Sequence, residues 1–191
     1  MKEEYAPRIT IALPLNTTVT HPDELPELVH FDDPSTTVFT DFTREHPVTI
    51  NPDAHINQAL EKMKHAGICV LLVIDEDKRL LGEIIADDIM GDKPVRYAKS
   101  TGIDHSKITV EMMMIPREKV RVLETEHLRN ARVGHIIATL HALESRYVLV
   151  IENGSVCGLF AAGPMSRQLG YNIMDEEVHA HSLAEMVHTL G

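Results

Sequence analysis

The chain has 191 residues, 43% of them hydrophobic, and a formal net charge of −11 with histidine neutral. This length allows one ordinary domain or two small ones with a buried core. The negative charge argues against general nucleic-acid binding, which needs clustered Lys and Arg. A small anionic ligand needs only one basic group or a helix start, so the charge does not exclude it.

The first 37 residues contain five of the ten prolines and no sustained hydrophobic period. We expect an extended arm over 1–37, with one short helix over 23–30, that packs along the domain or a partner subunit. The acidic start MKEEYAPRIT is unlike a secretory signal. Cys69 and Cys157 lie in apolar runs without CxxC spacing, which predicts buried free thiols. Together these features predict a cytoplasmic protein.

From Val38 onward the chain repeats itself. The strand Val70–Ile74 recurs as Tyr147–Ile151, and Gly82 matches Gly158 after a one-residue deletion. A helical stripe with i, i+3, i+4, i+7 spacing also recurs. Its two versions are Ile56, Ala59, Leu60 and Met63, and Val133, Ile136, Ile137 and Leu140. Upstream, Val48-Thr49-Ile50 matches Val120-Arg121-Val122, and the lead-in Val38–Thr43 matches Ile108–Met113.

The repeat predicts an α+β fold of two tandem β-α-β-β-α units. A single unit would leave one face of its sheet bare, so we expect the two units to pack sheet to sheet with pseudo-twofold symmetry. The predicted parts are an arm (1–37), a first repeat (38–91), a linker (92–107), a second repeat (108–170) and a C-terminal amphipathic helix (171–191).

The stretch from Gly67 to Met90 organises the first repeat. The apolar run Ile68–Ile74 predicts a strand covered on both faces and is too short to cross a membrane. Leu80–Ile85 predicts its hairpin partner. Asp88 follows where a short helix would begin, and it could be a helix N-cap or a ligand-binding carboxylate.

The first copy has a short strand before Pro-Asp, an Ala-Leu helix that contains Met63, a strand ending in Val-Ile-Asp, and Leu-Gly-x-Ile before a terminal Asp. These features resemble a cystathionine β-synthase (CBS) domain, and the second copy, from Val120 to about Leu169, is similar but weaker. The resemblance implies a tandem CBS pair, or Bateman module. Such pairs commonly form homodimers, and many bind AMP, ADP, ATP or S-adenosylmethionine in a cleft.

In that family the nucleotide-binding signature ends G-x-x-T-x-x-D, and its carboxylate accepts hydrogen bonds from both ribose hydroxyls. In the first copy Gly82 matches, Ile85 stands at the Thr position, and Asp88 stands at the ribose position. In the second copy Ala161 and Pro164 replace Thr and Asp, and a proline side chain cannot accept from ribose. The resemblance therefore implies at most one conventional site, at Asp88.

In members of the family, the base of the nucleotide contacts the segment before the first strand of the same copy and the second strand of that copy. By this rule the remaining candidate ligand-binding residues are Thr43, His46, Pro47, Val48, Cys69 and Val70. A phosphate partner would come from the other copy, as Arg146 or His135.

The sequence contains no nucleophile–base constellation and no phosphate-binding glycine loop, so we do not expect an enzyme. We expect a stand-alone regulatory module that senses an adenosine-type ligand and acts through a homodimer or an unknown protein partner. The alternative is a CBS-fold scaffold that has lost ligand binding. His179 and His181 with Glu177 could bind a metal, but a solvated helix face is the expected reading, and a metal or redox sensor is the third alternative.

Overall fold

The computed structural model describes residues 28–174. Eight strands and six α-helices are formed by these residues, with short 3-10 turns between them. The strands are β1 (Thr40–Asp41), β2 (Thr49–Ile50), β3 (Val70–Ile74), β4 (Leu80–Ile85), β5 (Ile115–Pro116), β6 (Val122–Glu124), β7 (Tyr147–Glu152) and β8 (Ser155–Ala161). The helices are α1 (Ile56–Ala66), α2 (Ala86–Met90), α3 (Lys93–Thr101), α4 (Val110–Met113), α5 (Val133–Ala142) and α6 (Ala162–Leu169).

The strands form two sheets with the same topology. One sheet has the order β2-β3-β4-β5 and the other has the order β6-β7-β8-β1. In each sheet a parallel pair leads into an antiparallel hairpin, and the last strand comes from the lead-in of the other repeat. The prediction of two tandem β-α-β-β-α units in an α+β fold is confirmed.

The exchanged lead-ins also touch the helices of the opposite repeat. Pro34 forms an isolated bridge with Arg132 before α5, and Thr109 forms the matching bridge with His55 before α1. The Val110 N–H donates to the carbonyl of Ala54 at 2.8 Å. Each repeat therefore completes the fold of the other, which gives the pair its pseudo-twofold symmetry.

Two glycines make the exchange sterically feasible. Gly82 on β4 lies opposite Pro116, and a Cβ at Gly82 would collide with the carbonyl oxygen of Ile115. Gly158 on β8 lies opposite Asp41, and a Cβ there would collide with the carbonyl oxygen of Thr40. Glycine at these positions permits the close backbone approach that the fourth strand of each sheet requires.

Each repeat has its own hydrophobic core. In the first repeat α1 covers the sheet, with Ile56, Ala59 and Met63 of the predicted stripe buried. This helix begins after His55, whose Nδ1 accepts from the N–H of Asn57 at 3.1 Å. In the second repeat the whole predicted stripe on α5 is buried. The apolar periodicity therefore marks the buried face of both helices.

The lead-in alignment predicted from the sequence is wrong. Thr40–Asp41 corresponds in the structure to Ile115–Pro116, whereas the sequence match pairs it with Val110 and Glu111, which lie in α4. Similarly, Thr49 pairs with Leu72 as Val122 pairs with Leu149, so the match of Val48–Ile50 to Val120–Val122 is one residue out of register. Strands of two or three residues carry too little periodicity to fix their own alignment.

Three other local expectations also change. Both cysteines are free, as predicted, but neither is buried: Cys69 is exposed and Cys157 is half-buried. Cys69 is exposed because β3 begins only at Val70. The polar segment 92–107 contains α3. Residues 28–30 and 171–174 are not helical; the remainder of the two predicted terminal helices lies outside the described residues.

Candidate ligand-binding cleft

A cleft of about 400 Å³ lies where the two repeats meet. From the first repeat it is lined by the end of β4 and the start of α2, including Ile85 and Asp87. From the second repeat it is lined by the segment after β5 and by the residues that lead into β7. Its size suits a small-molecule ligand of the mononucleotide class.

The two β-hairpins place equivalent residues beside each other at this cleft. The Ala86 N–H donates to the carbonyl of Cys69 at 2.9 Å, and the Ala162 N–H donates to the carbonyl of Arg146 at 2.7 Å. Both Cys69 and Arg146 line the cleft. Partial burial raises the pKa of the Cys69 thiol, and nearby Asp87 adds to the rise while Arg146 opposes it. Cys69 therefore stays a neutral thiol near pH 7.

The wall of the cleft contains a buried acid. Glu83 on β4 is only 6% exposed, and the hydroxyl of Tyr147 on β7 neighbours its carboxyl group. Burial raises the pKa of Glu83, which favours its neutral form. Burial and the neighbouring Glu83 also raise the pKa of Tyr147, so the hydroxyl stays protonated and can donate.

The second repeat gives the cleft a basic side. Lys119, Arg121 and Arg146 all line it and are exposed, so their charged groups are available to an anion. Asp87 and Glu144 are the exposed acids among the lining residues. Arginine and lysine beside a concave site are the groups that bind phosphate oxygens best.

Asp88, the predicted ribose ligand, lies in the middle of α2 and forms an ion pair. Its Oδ2 accepts from Lys93 Nζ at 2.9 Å, and the same ammonium donates to the carbonyl of Met113 at 2.7 Å. Asp88 is not the helix N-cap, because Ile85 occupies that position without a side-chain cap. Asp87, not Asp88, is among the residues that line the cleft.

The structure brings together some of the other predicted residues. Cys69, Ile85 and Arg146 line the same cleft, and Val70 is buried opposite Ile85 in the β3–β4 register. His135 lies apart from them in the first turn of α5, where its Nδ1 accepts from the Arg132 N–H at 3.0 Å.

The predicted base-binding segment lies beside the second hairpin instead. The Phe42 N–H donates to the carbonyl of Cys157 at 3.0 Å, and Thr43 follows directly. Val48 is on the far edge of the first sheet, where its carbonyl accepts from the Leu72 N–H at 3.2 Å. None of Thr43, His46, Pro47 and Val48 is among the described residues that line the cleft. The exchange of lead-ins brings 115–121 to this cleft in their place.

Sequence reasoning missed several residues at this site, among them Glu83, Asp87, Tyr147, Lys119 and Arg121. A charged residue within the apolar run Leu80–Ile85 was the signal for Glu83. Lys119 and Arg121 could not be assigned to the cleft at the end of β4, because only the exchange of lead-ins brings them there.

The second repeat lacks the equivalent acids. Leu159 occupies the strand position of Glu83, and Gly163 and Pro164 occupy those of Asp87 and Asp88. A separate cleft of about 440 Å³ runs along α6 and includes Arg146 and Arg167.

Comparison with known proteins identifies this fold. A family model of the CBS domain matches residues 39–92. An uncharacterized conserved protein from Pyrococcus horikoshii is 18% identical and superposes with a TM-score of 0.55, over 73% of this chain and 93% of that one. The fold is that of a tandem CBS domain pair. No curated protein sequence matches the chain.

Two further CBS structures contain ligands. CBSX2 was solved in complex with AMP; it is 18% identical, with a TM-score of 0.52 over 71% of this chain and 94% of its own. The CBS domain pair of protein MJ0100 was solved with 5′-methylthioadenosine and S-adenosyl-L-methionine; it is 21% identical, with a TM-score of 0.50 over 70% and 93% of the two chains. At these identities the likeness establishes the fold alone.

Residues 28–174 contain neither a membrane-spanning helix nor a cluster of potential metal ligands. None of the helices there combines the length and hydrophobicity that a bilayer crossing needs. In the same part of the chain, no group of three or more His, Cys, Asp or Glu side chains is placed to hold a metal ion. The cluster predicted around His179 and His181 lies outside the described residues.

Proposed function

We propose that this CBS pair is a regulatory module that binds an adenosine-type ligand, of the AMP, ADP, ATP or S-adenosylmethionine class, in the cleft between its repeats. The observation that carries the proposal is the composition of that cleft. The end of β4 from one repeat faces the basic residues Lys119, Arg121 and Arg146 of the other. The CBS pairs solved with AMP and with S-adenosyl-L-methionine support the same ligand class.

A nucleotide requires three kinds of contact, and residues for each are present. Arg146, Arg121 and Lys119 suit a phosphate. Ile85 and Ile115 offer apolar surface to a base. For the ribose, Asp87 lines the cleft, while Asp88 becomes available once Lys93 releases it.

The ion pair between Asp88 and Lys93 suggests how binding becomes a signal. Lys93 is the first residue of α3 and also contacts the carbonyl of Met113 at the end of α4. A ribose that takes Asp88 would release Lys93 and change how α3 is held. The ligand would thus bind one arrangement better than the other, as regulation requires.

We propose a homodimer as the unit that responds. The exposed apolar residues Met90, Val95 and Met112 lie on α2, α3 and α4, next to the Lys93 contacts. Light scattering on the purified protein should give twice the monomer mass, and Val95→Glu should shift the protein toward the monomer.

The test of the ligand is a calorimetric titration with AMP, ADP, ATP and S-adenosylmethionine, on wild type, Arg146→Ala and Arg167→Ala. Arg167 is the matched control, because it is an exposed arginine that lines only the cleft along α6. Losing a charge-assisted hydrogen bond costs about tenfold or more in affinity. We expect Arg146→Ala to show that loss and Arg167→Ala to bind like wild type. Equal losses in both variants would place the ligand elsewhere.

A scaffold without ligand is the second candidate function. Two observations favour this candidate. Ile85 and Pro164 replace the Thr and one Asp of the family signature. In addition, the Asp88 carboxylate already accepts a hydrogen bond from Lys93. Absence of binding by all four compounds, together with a stable dimer, would support it.

A further inference from the structure

Glu83 is a charged residue type in a strand that is otherwise apolar. It is 6% exposed, on β4 between Gly82 and the fully buried Ile84. Burial of a carboxyl group costs free energy unless each of its oxygens finds a partner. The position in the chain therefore needs a reason beyond the packing of the sheet.

The fold supplies a partner for only part of this carboxyl group. The Tyr147 hydroxyl neighbours Glu83 and favours the ionised form of its carboxyl group, but Oε2 is itself buried and has no hydrogen-bond partner among residues 28–174. Both residues line the cleft. A buried polar atom without a partner, on the wall of a cleft, is a group that a ligand can satisfy.

The second repeat shows that the fold does not require an acid here. Leu159 occupies the same place on β8, opposite Leu149, as Glu83 occupies opposite Leu72 on β3. The strand pairing and the glycine before it are the same in both repeats. The acid is therefore a feature of the first repeat alone, and it lines the cleft that also contains Lys119, Arg121 and Arg146.

We propose that Glu83 selects the base of the bound nucleotide, with its carboxyl group accepting a hydrogen bond from the exocyclic amino group of adenine. This inference rests on the function proposed above. Tyr147 neighbours the carboxyl group on one side, and a rotation of that group about its last torsion would present Oε2, which is buried without a ligand, to the amino group. An amino donor binds the ionised carboxylate best, and because the carboxylate can only accept hydrogen bonds, it disfavours a carbonyl oxygen at the same place.

The charges around the cleft decide between this ligand and a simple cation. Lys119, Arg121 and Arg146 would repel a small amine or a metal ion that carried no anionic group. They attract a ligand whose phosphate is at one end and whose amino donor is at the other. An aminopurine nucleotide has both features, whereas inosine monophosphate carries a carbonyl oxygen in place of the amino group.

The experiment compares AMP with inosine monophosphate by calorimetric titration of the full chain. Wild type should bind AMP at least about tenfold more tightly, because the analogue leaves a buried polar group unpaired. Glu83→Leu copies the residue of the second repeat and should bind the two nucleotides equally. Glu83→Gln can accept from the amino group of adenine or donate to the carbonyl oxygen of inosine, so it should keep AMP binding but lose most of the preference. Circular dichroism and thermal unfolding verify that each variant is folded.

The outcomes separate this inference from the function on which it rests. A wild type that binds both nucleotides equally, or a Glu83→Leu variant that keeps the preference, would overturn the role of Glu83 and leave nucleotide binding intact. If Glu83→Leu does not fold, Tyr147→Phe takes its place and should weaken the preference, since the carboxyl group loses the neighbour that favours its ionised form. An unchanged preference in that variant would overturn the role as well. Failure of wild type to bind either nucleotide would overturn the role of Glu83, and the proposed function would fall only if ADP, ATP and S-adenosylmethionine also did not bind.

Discussion

The two repeats of this chain have the same backbone arrangement but different side chains at the end of the second hairpin strand. In both, a glycine admits a strand from the other repeat, and the next helix begins four residues later. The first repeat then carries Glu83, Asp87 and Asp88, whereas the second carries Leu159, Gly163 and Pro164. Both repeats thus share the backbone geometry, but only the first has acidic side chains at these three positions. The following predictions test that division, from the largest expected effect to the smallest.

The largest effect is expected where the backbones approach. Gly82→Ala would drive a Cβ into the carbonyl of Ile115, and Gly158→Ala would do the same at Thr40. Each should lower the free energy of unfolding by about 3 kcal/mol, at the upper end of the range for overpacking. Urea unfolding measures this loss. Gly163→Ala is the control, since nothing lies within 4 Å of its Cβ position, and it should not destabilise the protein. Equal stabilities of all three variants would contradict the shared close approach.

The second effect concerns the acid that only the first repeat has. Burial raises the pKa of Glu83, so the folded protein keeps a proton that the unfolded chain releases. The contribution of Glu83 to stability should be greatest below about pH 4, the ordinary range of Glu, and should be lost as the pH rises through the raised pKa of the folded state.

Glu83→Gln removes this titration. Relative to wild type the variant should gain stability as the pH increases from 4 to 8, by an amount on the order of 1 kcal/mol. Urea unfolding at several pH values measures the difference. The exposed cleft residue Glu144 provides a control variant, Glu144→Gln. A constant difference between wild type and Glu83→Gln across this range would show that folding does not raise the pKa of Glu83.

The third effect concerns Asp88, which has Pro164 as its counterpart. Lys93→Met keeps the length of the side chain but removes the ammonium group that occupies Asp88. The pair is partly exposed, 36% for Lys93 and 23% for Asp88, so it contributes at most about 1 kcal/mol.

If a ribose competes with Lys93, the variant should bind AMP up to about fivefold more tightly. Titration calorimetry measures the affinity, with Lys99→Met on the exposed side of α3 as the control. Weaker binding by Lys93→Met would instead indicate that Lys93 contacts the ligand directly.

The smallest effect is expected at the surface of the arm. Asp32 pairs with Arg132 at 2.8 Å, but the two side chains are 87% and 56% exposed. Such pairs contribute little, so Asp32→Ala should change Tm by less than about 2 °C. Differential scanning calorimetry measures the shift. A larger decrease in Tm would mean that the ion pair, and not the neighbouring backbone hydrogen bonds of Phe31 and Asp33, holds this segment against α5.

Long elements were predictable, and short ones were not. The stripes of α1 and α5 and the hairpin strands show clear periodicity, so their place in the repeat could be read from the residues. The lead-in strands β1 and β5 have two residues each, and their alignment was wrong. Cys69 was expected to be buried because it continues an apolar run, yet the strand begins one residue later.

The candidate site shows the same limit. Ile85, Arg146 and Cys69 were named from the sequence, and all three line one cleft. Asp88 was also named, but its partner Lys93 comes from the segment interpreted as a linker, and a contact of that kind leaves no periodic signal. The expected roles of these residues as ligand contacts remain predictions until binding is measured.

The sequence by itself determined the duplicated unit, the two cores and the asymmetry between Asp88 and Pro164, because repeated hydrophobic spacing and individual side chains are local properties of the chain. The tertiary structure decided which repeat each lead-in completes and therefore that Lys119 and Arg121 face Glu83. The physical reason is that two-residue strands are held by pairing with a distant edge at Gly82 or Gly158, and that pairing depends on steric fit and not on the composition of the strand itself.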